Sequence, residues 1–417
     1  MWKKVKNVLG EYAGIAPLLC IYVLYGFAQA SGEFRVLFLE SLGMTATECG
    51  RVLAASGLLT AFSRPLAGAL ADKLRSRRVV YIGALICWMA VLALMLLTQH
   101  ARLAGFFLCA GIVPLISVFE PTTYGMVEAS GVNATVQNSK LDFSLIRVCL
   151  SIGYSLINFL YTPIVERFGP TAPFVCTLVF AAVMLALSGS LRRFETVPEK
   201  KEEQPGRNKL RIGRLFQNYY LIAFVLLNFV SALGSNTQNY IYYLLNSVGL
   251  DGSLVGVAIG IRVVGEIIIM PLVPLLKRWI SLPMMQALAC VFRLLQMVLF
   301  VTCRNPVIIL GGTVLNGFAA GVSLASTAVY LRMMAPEGLD TTTLSLSTVM
   351  MNLGSILVNL ISGVVVDTLG IFAVYRFSFG FLLLWLILYF GTWAFGVYVL
   401  KKKPPMPMFI RKNQNNT

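Results

Sequence analysis

The sequence predicts an all-α membrane protein, with twelve transmembrane helices in two pseudo-symmetric six-helix bundles. Three observations carry that expectation. Of 417 residues, 57% are hydrophobic and only 12% are charged, where a soluble globular chain carries about 25% charged residues. At least ten stretches exceed the roughly 18 apolar residues that cross a bilayer. One long hydrophilic stretch, LRRFETVPEKKEEQPGRNKLRIGRL from Leu191 to Leu215, divides the apolar runs six and six. This composition excludes a soluble enzyme and a single-anchor protein.

Taken in order, hydropathy places the spans at 12–33, 51–71, 79–98, 103–125, 143–165, 171–191, 217–244, 253–275, 283–302, 306–333, 342–366 and 371–399. No small-residue cleavage site follows the first run after the basic start MWKKVKNVLGEY, so that run reads as a retained helix. The expected organisation is an N-terminal bundle over 1–191, a cytoplasmic linker over 192–214, a C-terminal bundle over 215–400 and a cytoplasmic tail over 401–417. No segment outside the membrane is long enough for a folded soluble domain.

Lys and Arg fix the expected orientation. With the N-terminus inside, 24 fall on the cytoplasmic side and 6 on the other (Arg35, Arg51, Arg102, Arg167, Arg304 and Arg376). Both termini are therefore expected in the cytoplasm, with the chain in the cytoplasmic (inner) membrane. The net charge of +16 lies in short gaps between apolar runs rather than on a soluble face, so no nucleic-acid partner is expected. Eight cysteines, none in a CxxC pair and seven in apolar runs, read as small packing residues; neither metal nor cofactor is expected.

The halves look like copies. Helix 5 passes into helix 6 through NFLYTPIVERFGPTAPF, and helix 11 into helix 12 through NLISGVVVDTLGIFAVYRF. Each has an acid (Glu166, Asp367) three residues before a glycine (Gly169, Gly370). Glycines in GFAAGVSLAS of helix 10 permit close helix approach.

Several charges interrupt the apolar spans: Arg64, Arg147, Arg262, Arg293, Glu120 and Glu266, with Glu128 near the inner end of helix 4. A charge near the bilayer centre costs about 2.5–3.5 kcal/mol, so each must face a wet interior, find a partner or snorkel. Arg147, Arg293 and Glu266 point to a polar cavity. Arg64, two turns from a cytoplasmic loop, reads equally as structural, and Arg262 is one turn before Glu266, where a local ion pair is the competing reading.

The end of helix 2 reads RPLAGALADKLRSRR. This resembles the G-x-L-x-D-x-x-G-R-R/K signature of the major facilitator superfamily. Gly68, Leu70, Asp72 and the basic Arg77 and Arg78 carry the match, and Arg75 replaces the second glycine. The resemblance implies a conformational latch formed by Gly68, Asp72, Arg77 and Arg78. It also implies the six-plus-six major facilitator fold.

Over nearly the whole chain the sequence resembles the lactose permease branch of oligosaccharide:proton symporters and the related nucleoside symporters. SKLDFSLIRVCLSIGYSLINF is similar to that branch's helix 5. The resemblance implies that Arg147 donates to substrate hydroxyls and pairs with Glu128, and that Tyr154 takes the place of a sugar-stacking tryptophan. It likewise assigns the sugar-ligating acid to Glu266 and a cavity arginine to Arg293. A carboxylate accepts two hydroxyl hydrogen bonds and a guanidinium donates in a fixed fork, which suits polyhydroxy solutes.

The branch's helix 10 histidine and glutamate fall near Asn316 and Ala319, neither of which carries a proton. The only histidine, His100, belongs to the outer end of helix 3. Proton coupling then rests with Glu266, Glu128 or Glu120. Asn236, Gln238 and Asn239 form a polar run on helix 7, so Gln238 and Asn316 join the expected substrate-binding set.

The sequence therefore predicts a secondary transporter, not an enzyme. It would move a small hydroxyl-rich solute (a sugar, oligosaccharide or nucleoside) by alternating access, as a monomer, through uptake with protons. The alternative is a uniporter, or an exporter of another small solute or drug. Exporters often carry a glycine-proline signature in helix 5, where this chain has only the distant Pro163.

Overall fold

The computed structural model describes residues 12–103, 106–138, 140–194, 213, 215–336 and 339–408, except for the side chains of Arg64, Leu103, Phe106, Ser144, Asn236 and Thr341. Most of the expected linker, the last nine residues of the expected tail, and the side chains of Arg64 and Asn236 thus lie outside the described residues. Among the described residues twelve helical passes follow in order. We number them α1 (16–41), α2 (Ala46–Leu74), α3 (Arg77–Leu97), α4 (Leu108–Gln137), α5 (Phe143–Phe168), α6 (Ala172–Phe194), α7 (Tyr219–Ser247), α8 (Gly252–Trp279), α9 (Leu282–Thr302), α10 (Pro306–Met334), α11 (Asp340–Leu369) and α12 (Ile371–Val399). Ten of them are long and apolar enough to cross a membrane; α1 and α4 complete the set. A two-residue ladder, Arg102–Leu103 on Phe106–Phe107, links α3 to α4.

Local chemistry sets the helix ends. Thr45 and Glu48 close a capping box at the start of α2. Ser76, Ser281 and Asn305 cap α3, α9 and α10 through their side-chain oxygens. Pro121 has no N–H for the carbonyl of Ser117 one turn back; the Thr60 hydroxyl, shared with the Ser56 carbonyl at 2.9 Å, lies 3.3 Å from that carbonyl instead.

Three passes differ from the sequence reading. Helix 1 does not stop at residue 33: it tightens to a 3₁₀ turn over Ser31–Phe34 and resumes as Arg35–Ser41. Arg35, counted as a loop residue, is therefore helical, and so is Arg51, because helix 2 begins at Ala46. Helix 4 runs on to Gln137, leaving Glu128 nine residues inside it. Helix 6 continues as a 3₁₀ turn to Phe194, past the expected start of the linker, and buries Leu191 and Phe194.

By contacts the chain divides into two compact units, Met1–Lys200 with Gly252–Gly260, and Lys201–Asp251 with Ile261–Thr417. In the first unit α1 packs on α5 and α6, α4 on α2 and α3, and α3 on α6. In the second unit α7 packs on α11 and α12, and α9 on α10 and α12. Four of these pairings are thus repeated six helices later. The connecting turns repeat as well. Gly169 and Gly370 have φ near +82° and +81°. Their N–H groups bond back to Val165 and Val366, and their carbonyls accept from Ala172 and Ala373. A positive φ strains any residue with a side chain, so glycine is dictated at both turns.

Close helix approach is built on small residues, as expected where lipid offers no hydrophobic drive between helices. A Cβ on Gly153 would lie 2.6 Å from the Val23 carbonyl, and one on Gly26 would meet the Leu150 carbonyl. These two glycines let α1 and α5 touch backbone to backbone. In the second unit a Cβ on Gly354 of α11 would lie 2.6 Å from the Phe229 carbonyl of α7, the same device at the matching pair.

The first turns of α8 belong to the first unit. Thr162 donates to the Ser253 carbonyl at 3.1 Å, and the Ser253 hydroxyl donates to Glu166 at 3.1 Å. Gly256 lies against the Asn158 carbonyl. Leu58, Phe62, Leu66, Leu156 and Ile387 stay strongly exposed on the helices, as lipid-facing side chains must.

Candidate functional site

The first unit gathers ionisable groups between α1, α4 and α5. Two-thirds of the way along α1, in its 3₁₀ turn, lies Glu33, whose carboxylate accepts from the hydroxyl of Tyr154 at the middle of α5. Tyr154 therefore serves as a hydrogen-bond donor to an acid, rather than only as a packing ring. Two residues on, the Arg35 guanidinium pairs with Glu120 at the middle of α4. Glu120 is 9% exposed. A buried charge of this kind is tolerable only with its partner in place. Tyr25 of α1 donates to the Glu120 carbonyl at 3.2 Å and stacks on Tyr124, ring centroids 5.2 Å apart.

Arg147 and Glu128 come together as well, Nη1 to Oε1 at 3.7 Å, with side chains 41% and 33% exposed. The Tyr124 hydroxyl donates to the same Glu128 oxygen at 3.2 Å. Arg147 and Tyr154 are seven residues apart on α5, two turns along one face. A stripe thus runs from Glu33 and Tyr154 at mid-span to Arg147 and Glu128 nearer the α5 start.

The second unit uses neutral amides. Gln296 of α9, 0% exposed, accepts through its oxygen from Gln238 of α7 at 3.1 Å and from Asn316 of α10 at 3.2 Å. Its own amide nitrogen has no hydrogen-bond partner among the described residues. One turn earlier, Arg293 donates to the Ser231 hydroxyl at 3.5 Å. Asn239 donates to Asn359 at 3.1 Å, and Asn228 to Ser347 at 2.8 Å. The α7 helix tightens to 3₁₀ over Asn236–Tyr240, which sets the Gln238 and Asn239 side chains at this layer. Glu266 is half-buried on α8. There a Cβ on Gly317 would strike the Arg262 carbonyl, and one on Gly321 would lie 3.2 Å from the Glu266 carbonyl. The expected close approach of helix 10 is present.

The structure thus joins Glu128 with Arg147, and Gln238 with Asn316 through Gln296. Arg293 goes to Ser231, and Glu120 to Arg35. Sequence reasoning missed Glu33, Arg35 and Gln296. The signal for the first two was the pair of charges in SGEFR directly after an apolar run; for Gln296 it was an amide one turn after Arg293 in an apolar span.

The residues of the expected latch take definite places. The Cβ position of Gly68 has nothing within 4 Å, so close contact is not what this structure requires of it. Asp72 is exposed, and its carbonyl accepts from the N–H of Arg75. Arg75 ends α2 at φ 52°, a left-handed position that glycine would fill without strain. Arg78 braces α3 to the end of α6 by donating to the Ser188 carbonyl at 3.0 Å. Arg77 is half-exposed. His100 is exposed beyond the end of α3.

Comparison with known proteins follows the same lines. No curated protein sequence matches the chain. Among solved structures, a variant of the nucleoside transporter NupG superposes with a TM-score of 0.77 at 17% identity, covering 91% of this chain and 99% of that one. The POT family transporter PepTSo gives 0.73 at 11% identity, over 92% and 98%. An auto-inhibited POT family peptide transporter gives 0.71 at 14%, over 96% and 98%. These likenesses establish the fold of a multi-pass membrane transporter, and the neighbours are transporters rather than enzymes. A profile of the MFS_1 like family matches residues 18–377, and the chain belongs to that family of major facilitator transporters.

Proposed function

We propose that the protein takes up a small hydroxyl-rich solute, a nucleoside or sugar, by alternating access with protons. One observation carries the reading: acids and a phenol meet at mid-span, with Glu33 and Tyr154 in contact and Glu120 held by Arg35. Ionisable groups at membrane depth are costly and mark solute or proton paths. Two turns along the same α5 face, Arg147 and Glu128 are exposed enough to trade their mutual contact for solute hydroxyls. Within the second unit, taken by itself, Gln238, Gln296, Asn316 and Arg293 offer amide and guanidinium donors, and Glu266 a further carboxylate. The fold neighbour NupG, a nucleoside transporter, supports the same solute class.

Glu120 is locked to Arg35, which leaves Glu33, Glu128 and Glu266 as the carboxylates to exchange a proton with solute binding. The Lys/Arg asymmetry supports both termini in the cytoplasm; residence in the inner membrane, as a monomer, is part of the same proposal. The Gly68, Asp72, Arg77 and Arg78 set would act as the latch at the cytoplasmic end.

The test is uptake of labelled uridine and lactose into proteoliposomes, with and without an imposed pH gradient. Expected is accumulation that rises with the gradient and is lost in Arg147→Ala, while Glu128→Gln or Glu266→Gln keeps exchange but loses gradient-driven accumulation. Uptake of neither solute above protein-free vesicles, or an Arg147→Ala protein equal to the parent, would remove the proposal.

A further inference from the structure

We propose a binding site for an anionic phospholipid on the second unit, between α7 and α12 at the end where the chain leaves the membrane. A groove of about 460 Å³ is lined by Tyr219, Ile222, Leu226, Val230, Leu388 and Lys402, among others. Its α7 residues recur at positions 219, 222, 223, 226, 227 and 230, one stripe of the helix. Asn228 and Ser235 lie on the opposite face of that helix and Ser231 to one side; none of the three lines the groove, which is separate from the amide layer of the candidate solute site. Leu226 is 57% exposed on a membrane-spanning helix, where lipid is the surrounding medium. From 219 to 230 the helix rises about 16 Å. That is about half of a ~30 Å hydrocarbon core, the depth of one acyl chain in one leaflet.

The backbone of a lysine is fixed at the mouth, with its side chain exposed. After the π-wound turn Phe395–Val399, Lys401 takes φ 51° and turns the chain back on itself. The N–H of Lys402 then donates to the Gly396 carbonyl at 2.9 Å, and its own carbonyl accepts from Tyr220 at 2.8 Å. Gly396 lets the Tyr220 hydroxyl in, since a Cβ there would stand 2.7 Å from it. The Lys402 ammonium sits 6.0 Å from the centre of the Tyr219 ring, beside the groove, and Lys401 and Lys403 flank it, both exposed. Among the described residues no carboxylate pairs with Lys402. An apolar slot one leaflet deep, topped by three lysines, fits a lipid whose phosphate bears net negative charge, in the leaflet to which the Lys/Arg asymmetry assigns both termini.

The experiment measures lipid retained by the purified full-length protein, by native mass spectrometry, after exchange into equimolar phosphatidylglycerol and phosphatidylcholine. Expected is at least a fivefold preference for phosphatidylglycerol. It should be lost in Lys402→Gln and in Ala223→Trp, which fills the slot without altering charge. It should be kept in Lys277→Gln/Arg278→Gln, a control for general attraction to basic protein. The preference should also survive excess glycerol phosphate, which lacks the acyl chains.

Equal retention of the two lipids by the parent protein would overturn the proposal even if a variant failed to fold. Unchanged preference in Ala223→Trp would overturn it too. So would crosslinking of a cysteine placed at Leu226 to one in residues 201–212, which would show that the chain's own linker fills the groove.

Discussion

Replacing Gly153 by alanine tests the backbone contact that holds α1 against α5. The new Cβ would lie 2.6 Å from the Val23 carbonyl, where ordinary contact begins at 3.4 Å. The helices must part by about 0.8 Å or a backbone must bend. Overpacking of this kind costs about 1–3 kcal/mol. Alanine is also the better helix former, by about 0.8–1 kcal/mol. The net expectation is a loss of up to about 2 kcal/mol. Gly83 of α3 is the matched control: it is exposed with nothing within 4 Å of its Cβ position, so Gly83→Ala keeps only the gain. Thermal unfolding in detergent should rank the proteins Gly83→Ala, parent, Gly153→Ala, with Gly354→Ala falling beside Gly153→Ala. Should Gly153→Ala be stabilised as much as Gly83→Ala, the reasoning that α1 and α5 meet through their backbones is wrong.

Three further expectations follow from the same geometry. Glu120→Gln removes one partner of a pair whose side chains are 16% and 11% exposed, and should cost about 3–5 kcal/mol, read as lost yield of folded protein; Arg35→Met with Glu120→Leu should recover most of it. Glu128→Gln should change stability by less than about 1 kcal/mol, because its pair with Arg147 is well exposed, while changing uptake strongly; an equal fall in both would mean a structural role. Gln296→Leu strips the shared acceptor from Gln238 and Asn316 but also deletes a donor that has no partner among the described residues, so the stability loss should stay within about 2 kcal/mol. Solute affinity measured by isothermal titration should drop in that variant, and an unaltered affinity would take the amide layer out of the site.

Much of the architecture was legible because a bilayer imposes length and polarity on every pass. The twelve spans, the paired turns at Gly169 and Gly370, and the glycine contacts of helix 10 all leave marks in the linear chain. Hydropathy reports compatibility with lipid, however, not continuation of a helix. SGEFR ended the first span on that scale, yet its Glu33 and Arg35 face protein partners and the helix runs on to Ser41. The polar stretch after residue 125 likewise stays helical, with Ser130 and Asn133 buried by neighbours rather than by lipid. Of the candidate site, the Glu128–Arg147 pairing followed from the family resemblance. Gln296 did not, because one amide within an apolar run carries no sign of the two partners that reach it from other helices.

The tightly wound stretch Asn236–Tyr240 makes α7 something other than a rigid rod. A 3₁₀ coil rises about 2.0 Å and turns 120° per residue, against 1.5 Å and 100° for the α form. Rewinding these five residues would therefore draw the Ile241–Ser247 end inward by about 2.5 Å and screw it round by roughly 100°. Gln238 and Asn239 ride on that screw, so a small axial tug at one end of the pass would translate into a change in which neighbours their amides greet.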